Sequence, residues 1–538
     1  MTQVEVPAAT GSQDDKRQEL VDFVLDQTVS PVDHWGVAAT LESRGLRDVD
    51  AVEKFGCADI FALAEDVYAR CRAQLRAAPP APEPGPARRW YARLGRFVLL
   101  YARGTFFAMP MAIQIVSVLV LGYALWASVR FNELQATAVA LATILSFVVT
   151  GGFVQVIGRL GLFYSEQKSY LLAERVVHKL IRTGLAVAVA VGAATLLVDL
   201  LTSYFPLRLA LVGLVYYLLL SALWLFLAVL YTLQRRLAIL LTMTVGIGVI
   251  ALVLRFTPFG LYAAHWAGLA GADVAALVWG RRLLRRNAAG VAGDLELARL
   301  PRLSILGYSS APYFAYGVLY FGFLFLDRVV GWSTADDPLP FLILFRTPYE
   351  LGLDWALLSM VLTIALLEYT INEFSSIIIP VQKRFSAFDI AAHNRYFRRF
   401  YARQLIMLVI LTVASAVATY KGVLWFRQFD ELKQVRDFFA SPITFRVFYW
   451  GVIGYGLLVW ALLNCVFFFS LSRPWLVLRP LVAAVATDAV VGFVLSRVLD
   501  YSYSVVGLAV GSLVFALMTA RHAARVLGQL DYYYYSAY

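Results

Sequence analysis

Apolar runs of roughly 18 residues or more recur along this chain from about position 105 to 525. Each is long enough, at 1.5 Å of rise per helical residue, to cross a ~30 Å hydrocarbon core. Lipid offers no partner to a free peptide group, so such runs must satisfy their own backbone as helices. The chain therefore reads as an all-α polytopic membrane protein. Its composition agrees: 60% of the 538 residues are apolar and 15% charged, against roughly half and a quarter in soluble domains.

The pattern places spans near 105–129, 135–157, 183–202, 208–231, 237–255 and 259–279. A second set falls near 306–330, 350–376, 404–421, 444–470, 475–496 and 502–520. The net charge of +11 sits in alternate loops, among them Arg88, Arg89, Arg93 and Arg96, then Arg235 and Arg236, then Arg281, Arg282, Arg285 and Arg286. Retained positive charge marks the cytoplasmic side, so twelve spans put both termini there, and no nucleic-acid partner is called for. The opening residues are polar, without the short apolar segment of a signal peptide, so the first span is expected to direct insertion.

Residues 1–76 carry short amphipathic patterns and read as a small cytosolic helical bundle, with Gly56 ending one helix and Asp59 opening the next. A linker over 77–88 follows, in which Ala77 to Pro86 holds five prolines. Residues 89–290 and 291–538 then form two six-helix membrane halves, the second ending in a tyrosine-rich tail. Each half opens with a proline-bearing helix, around Pro110 in one and Pro312 in the other, and this matched placement suggests a parallel internal repeat. A packing kink and a functional hinge are both open readings of these prolines. The basic connectors 159–182 and 380–403 read as amphipathic helices lying in the interface.

Ionisable groups inside a bilayer cost roughly 2.5 to 3.5 kcal/mol each on insertion scales, so those present tend to face a cavity or one another. The candidates are Asp273 in the sixth span, Glu368 in the eighth and Asp488 in the eleventh, with Asp327 and Arg328 ending the seventh either as an ion pair at the outer mouth or as a snorkelling pair. Thr347-Pro348-Tyr349-Glu350 has the form of a capping box, which assigns Glu350 to the helix start. Asp354, one turn further, belongs either to a pathway shared with Glu368 or to the outer headgroup layer. Gln114, Tyr308, Ser309 and Ser310 either line the interior or tie helices together.

Cys57, Cys71 and Cys465 are too scattered for a disulfide framework or a zinc site. No His-Glu-x-x-His or phosphate-loop motif occurs, so neither metal nor cofactor chemistry nor ATP hydrolysis is indicated.

Two six-helix halves with prolines in the first and seventh spans resemble the multidrug/oligosaccharidyl-lipid/polysaccharide flippase superfamily. Tyr313 to Trp332, with Phe-Leu-Phe-Leu-Asp327-Arg328, together with Tyr349-Glu-Leu-Gly-Leu-Asp354-Trp and Leu367-Glu368-Tyr369, resembles the Pel-type exopolysaccharide exporter branch. The N-terminal module lies outside this likeness.

The resemblance implies a bacterial-type inner membrane protein that moves a polysaccharide or lipid-linked saccharide outward through a central cavity by alternating access. Asp327, Arg328, Asp354 and Glu368 would be its first residues to test. Membrane lipids, the saccharide and a cytosolic glycosyltransferase docked through the N-terminal domain are the partners it suggests. An ion-coupled multidrug efflux pump of the same fold is the alternative, favoured by interior acids. A membrane-embedded glycosyltransferase or a scaffold subunit of a polysaccharide synthase is a third reading. For the enzyme, the first outer loop, Arg130 to Gln135, offers only Glu133 as a catalytic acid.

Overall fold

The computed structural model describes residues 13–28, 31, 33–77, 90–289, 302–334, 342–382, 390–426, 428 and 441–535. The proline-rich linker falls almost wholly outside them. The chain divides into two compact units. One holds the residues up to Phe97 with Asn372–Tyr401 and Leu527–Tyr535; the other holds Val98–Ile371 and Ala402–Val526.

In the first unit, α1 (Gln13–Thr28), α2 (His34–Ser43), α3 (Asp48–Phe55) and α4 (Ile60–Ala77) form a small bundle. Asp33 caps α2 by accepting from the Gly36 N–H at 2.8 Å, and Gly56 closes α3 in the left-handed region at φ 67°. Asp59 opens α4, accepting from the Ala62 N–H at 2.7 Å. Leu20, Val21, Val24, Val37, Leu41, Leu63 and Val67 are buried between the helices, each burial worth about 1.5 to 3 kcal/mol. Arg17 ties α1 to the end of α3 through the Phe55 carbonyl at 2.7 Å. Burial pushes the Cys71 thiol up to about 11. The Lys54 ammonium and the Arg47 N–H hold the Asp50 carboxyl below its usual range.

The membrane helices follow as α5 (Trp90–Leu121), α6 (Glu133–Glu166), α7 (Tyr170–Thr202), α8 (Leu207–Thr232), α9 (Arg236–Phe256) and α10 (Leu261–Ala289). The second set is α11 (Leu303–Trp332), α12 (Thr347–Gln382), α13 (Ile390–Phe426), α14 (Pro442–Ser470), α15 (Trp475–Val498) and α16 (Ser504–Gly528); a short α17 (Leu530–Tyr535) ends the described chain. Among the described residues, eleven helices are long and apolar enough to cross a membrane, and α5 makes twelve if its two arms form one span. Those arms, Phe97–Phe106 and Met109–Val118, meet at 53° beside the buried Pro110. Pro312 lies inside α11, which crosses as a single helix.

The connector 159–182 contains no separate interfacial helix. Helices α6 and α7 run on through it and meet in a tight turn at Gln167–Ser169, where Lys168 adopts φ 59°. The other connector is likewise built from the ends of α12 and α13, apart from 383–389, which lie outside the described residues. An amphipathic face can be covered by a neighbouring helix as well as by headgroups, and here helix continuity prevails. The first-half helix α6 packs on the second-half helix α11. At their crossing a Cβ on Gly317 would lie 2.3 Å from the Gly151 carbonyl, so the two backbones touch.

Candidate functional site

Asp327 and Arg328 are neighbours in sequence, yet they do not form an ion pair with each other. Consecutive helical residues diverge by about 100°, and each finds a partner on α12. Asp327, fully buried, accepts from the Tyr349 hydroxyl at 2.7 Å through Oδ2, while its Oδ1 has no hydrogen-bond partner. Arg328 donates one η nitrogen to Glu350 and the other to Asp354 Oδ1 at 3.4 Å. Glu350 and Asp354 stand four residues apart on α12, so one guanidinium reaches both.

Glu350 is therefore not a helix cap. Both of its oxygens are engaged, one by Arg328 and the other by the Trp332 indole N–H at 2.9 Å. Trp332 lies one turn beyond Arg328 on α11, which brings both donors to the same carboxylate. Asp354 is half-buried beside Arg328.

Asp488 on α15 is wholly buried, and neither of its oxygens has a hydrogen-bond partner. A Cβ on Gly507 would lie 2.6 Å from Asp488 Oδ1, so α16 presses bare backbone against this carboxyl. Glu350 and Asp354 thus share one arginine, while the buried Asp327 and Asp488 are bonded to no cation, a set short of positive charge in a low-dielectric interior. Such a set can take up a proton or a small cation. Among the described residues no three His, Cys, Asp or Glu side chains converge as a metal site.

Glu368 belongs to a different locus. It pairs with Arg236 at the start of α9, and Arg236 also donates to the Arg103 carbonyl at 2.8 Å. The Tyr101 hydroxyl donates to the Leu362 carbonyl at 2.6 Å, and Arg159 donates to the Ser472 hydroxyl at 2.9 Å. The Arg236–Glu368, Tyr101–Leu362 and Arg159–Ser472 contacts join first-half to second-half residues on the basic side. On the opposite side, the Phe345 N–H donates to the Thr137 hydroxyl at 2.9 Å, and Tyr204 meets Ile343 at 2.6 Å. The halves are joined at both ends as well as at the Gly151–Gly317 seam.

The remaining candidates separate. Asp273 on α10 is buried with Oδ1 unpartnered, and on the same helix His265 is fully buried with neither ring nitrogen hydrogen-bonded. Gln114 is committed to structure, accepting from the Leu125 N–H at 2.8 Å and so pinning the loop after α5. Tyr308 is 87% exposed and cannot line an interior; its turn of α11 precedes the packed part of the helix. Sequence reasoning passed over Arg236, Trp332 and Tyr349 as site residues. A loop arginine and buried aromatics carry no signal that separates them from topology and packing.

No family model and no curated protein matches the chain. Solved structures do. A Vibrio cholerae MATE transporter superposes with a TM-score of 0.55 at 12% identity, covering 83% of this chain and 99% of its own. An outward-facing MATE-family multidrug-resistance transporter of the MOP superfamily gives 0.54 at 13% identity, covering 85% and 98%. The fold is that of the MATE transporters. A MOP-superfamily transporter from Pyrococcus furiosus, for which a binding pocket of reversed polarity suggests a different function, gives 0.53 at 13% identity over 81% and 98%. The MATE fold covers the membrane helices, and at these identities it is the fold that is shared.

Proposed function

We propose that this chain is a cation-coupled exporter working by alternating access between its two six-helix halves, in a bacterial-type inner membrane with both termini cytoplasmic. The observation that carries the reading is a surplus of carboxyls: Glu350 and Asp354 divide Arg328 between them, and Asp327 and Asp488 are buried without a cation bonded to them. Unpaired carboxyls at this depth are costly, and binding a cation relieves that cost. A transporter whose halves exchange cation and cargo can use the difference to drive export. The cargo that suits such an interior is cationic and amphiphilic, in line with the multidrug-resistance transporter that shares the fold. Lipid pyrophosphates would need interior arginines, and Arg328 is already held by two carboxylates.

A second reading, export of saccharide in the manner of the Pel-type branch, is favoured by a run of aromatic rings where the halves meet. Trp126, Trp224, Phe147 and Phe321 follow one another at centroid distances of 5.4, 4.2 and 5.0 Å. Tyr320, Tyr316 and Phe469 continue the run toward the basic side at 5.3, 5.7 and 4.8 Å. Sugar rings stack their C–H faces on such surfaces.

Proteoliposomes loaded with ethidium or with a fluorescent oligosaccharide, under an imposed proton or sodium gradient, separate the two. Gradient-driven ethidium export, abolished in Asp327→Asn and Asp488→Asn, is the expected result. Movement of oligosaccharide alone would transfer the assignment to the second reading. No movement of either, by protein shown to be folded, would reject export.

A further inference from the structure

The first turns of α13 carry Arg395, Arg398, Arg399 and Arg403, all exposed. Arg395, Arg399 and Arg403 continue in helical register into the exposed Ile406, Ile410, Val413 and Val417, at successive spacings of three or four residues. The opposite face is buried through Phe397, Phe400, Gln404, Leu408 and Ser415. The face that meets lipid tails in the span thus becomes an arginine face where the span leaves the hydrocarbon.

Helix α7, the third of its half as α13 is of the other, carries basic residues at matching positions, with Arg182 exposed and Arg175 and Lys179 half-buried. Arg175 and Lys179 are the sixth and tenth residues of α7, and Arg395 and Arg399 are the sixth and tenth of α13. On α7 the same stripe passes through Arg182 to the exposed Leu197 and Leu201, opposite the buried Ile181, Gly184 and Ala188. Six spans separate the two helix starts, so both lie on one side of the membrane.

Retention of positive charge on one side explains that basic residues occur here. It does not explain why they share the lipid-facing stripe, nor why they do so at matched positions of both halves. The arginines ending α10 lie at a helix C-terminus, where the dipole favours cations; those of α7 and α13 lie toward N-termini and gain nothing from it. Among the described residues, no ion pair is formed by Arg395, Arg398 or Arg399.

We propose that the first turns of α13, and in the repeat-related position those of α7, are binding sites for the phosphate headgroups of anionic phospholipids in the basic-side leaflet. Guanidinium forks match phosphate oxygens, and the apolar continuation of the stripe receives the acyl chains. Each juxtamembrane cation contributes about fivefold in affinity for an anionic surface.

The full-length protein in mixed micelles of phosphatidylglycerol and phosphatidylcholine, analysed by native mass spectrometry, tests the assignment. Wild type is expected to retain phosphatidylglycerol selectively, and R395Q/R398Q/R399Q to lose that preference at least tenfold. R395K/R398K/R399K should retain most of it. K16Q/R47Q/K54Q, which removes equal charge from the N-terminal bundle, should retain all of it. Unchanged selectivity in the glutamine triple variant would overturn the assignment, as would an equal loss in the bundle control. Should the triple variant fail to fold, R399Q alone and K179Q/R182Q carry the same comparison.

Discussion

Arg328 shows how one residue can be indispensable to an acidic site without being its functional group. Two carboxylates close on it from α12. Replacing it with methionine would leave the buried Glu350, and the half-buried Asp354 beside it, without a counter-charge, at a cost of about 3 to 5 kcal/mol. Thermal unfolding in detergent should show a large drop in midpoint for Arg328→Met and a smaller one for Glu350→Gln, which keeps the shape and removes a charge. Equal midpoints would mean that the arginine is solvated in place. In the N-terminal bundle, the raised Cys71 thiol has its own pH signature. Its proton is held to about 11 when folded and released near 9.0 when unfolded, so its contribution to stability is complete below pH 9 and is lost as pH rises toward 11. Iodoacetamide at pH 8 should therefore label the half-buried Cys57 and spare Cys71 until denaturant is added.

At the level of helices, the register of the spans was legible because a membrane imposes long apolar runs that survive in any local context. The expected centres and the observed helices agree from the second span to the twelfth. What could not be read were the choices among partners. Thr347-Pro348-Tyr349-Glu350 has the same letters whether Glu350 folds back on its own helix or crosses to Arg328, and only the packing of α11 decides. Tyr308 and Gln114 share a polar character with cavity residues, but one is exposed and the other holds a loop. Asp327, Arg328, Asp354 and Glu368 were visible as intramembrane charges; that Glu368 belongs with Arg236, far along α12 from the others, was not. The seam between α6 and α11 was equally hidden, since Gly151 and Gly317 are unremarkable until their backbones meet. Gly317→Val places a Cβ and two methyls where 2.3 Å is available. It should lower the unfolding midpoint, through a cost of about 1 to 3 kcal/mol or more, while Gly322→Val, where a Cβ would meet nothing within 4 Å, should leave it nearly unchanged.

For the molecule as a whole, alternating access requires that the contacts closing one side be weaker than the binding energy that opens it. Among the described residues, the Arg236–Glu368 ion pair joins the halves on the basic side, beside the hydrogen bonds of Tyr101 and Arg159. An ion pair of this kind contributes chiefly by leaving neither charge stranded, so removing one partner costs more than the pair is worth. Glu368→Gln should therefore favour the state open on the basic side. Cysteines introduced at Arg103 and Leu362 in a background lacking the native thiols would report this as faster reaction with a membrane-impermeant maleimide applied from that side. The reversed pair, Arg236→Glu with Glu368→Arg, should return both the labelling rate and transport toward wild type, because the geometry needs opposite charges and is indifferent to which helix carries which. If Glu368 were instead a direct ligand of the transported cation, the reversed pair would stay inactive while its labelling recovered. Recovery of labelling and transport together identifies a latch between the halves, whereas recovery of labelling alone places Glu368 on the transport path.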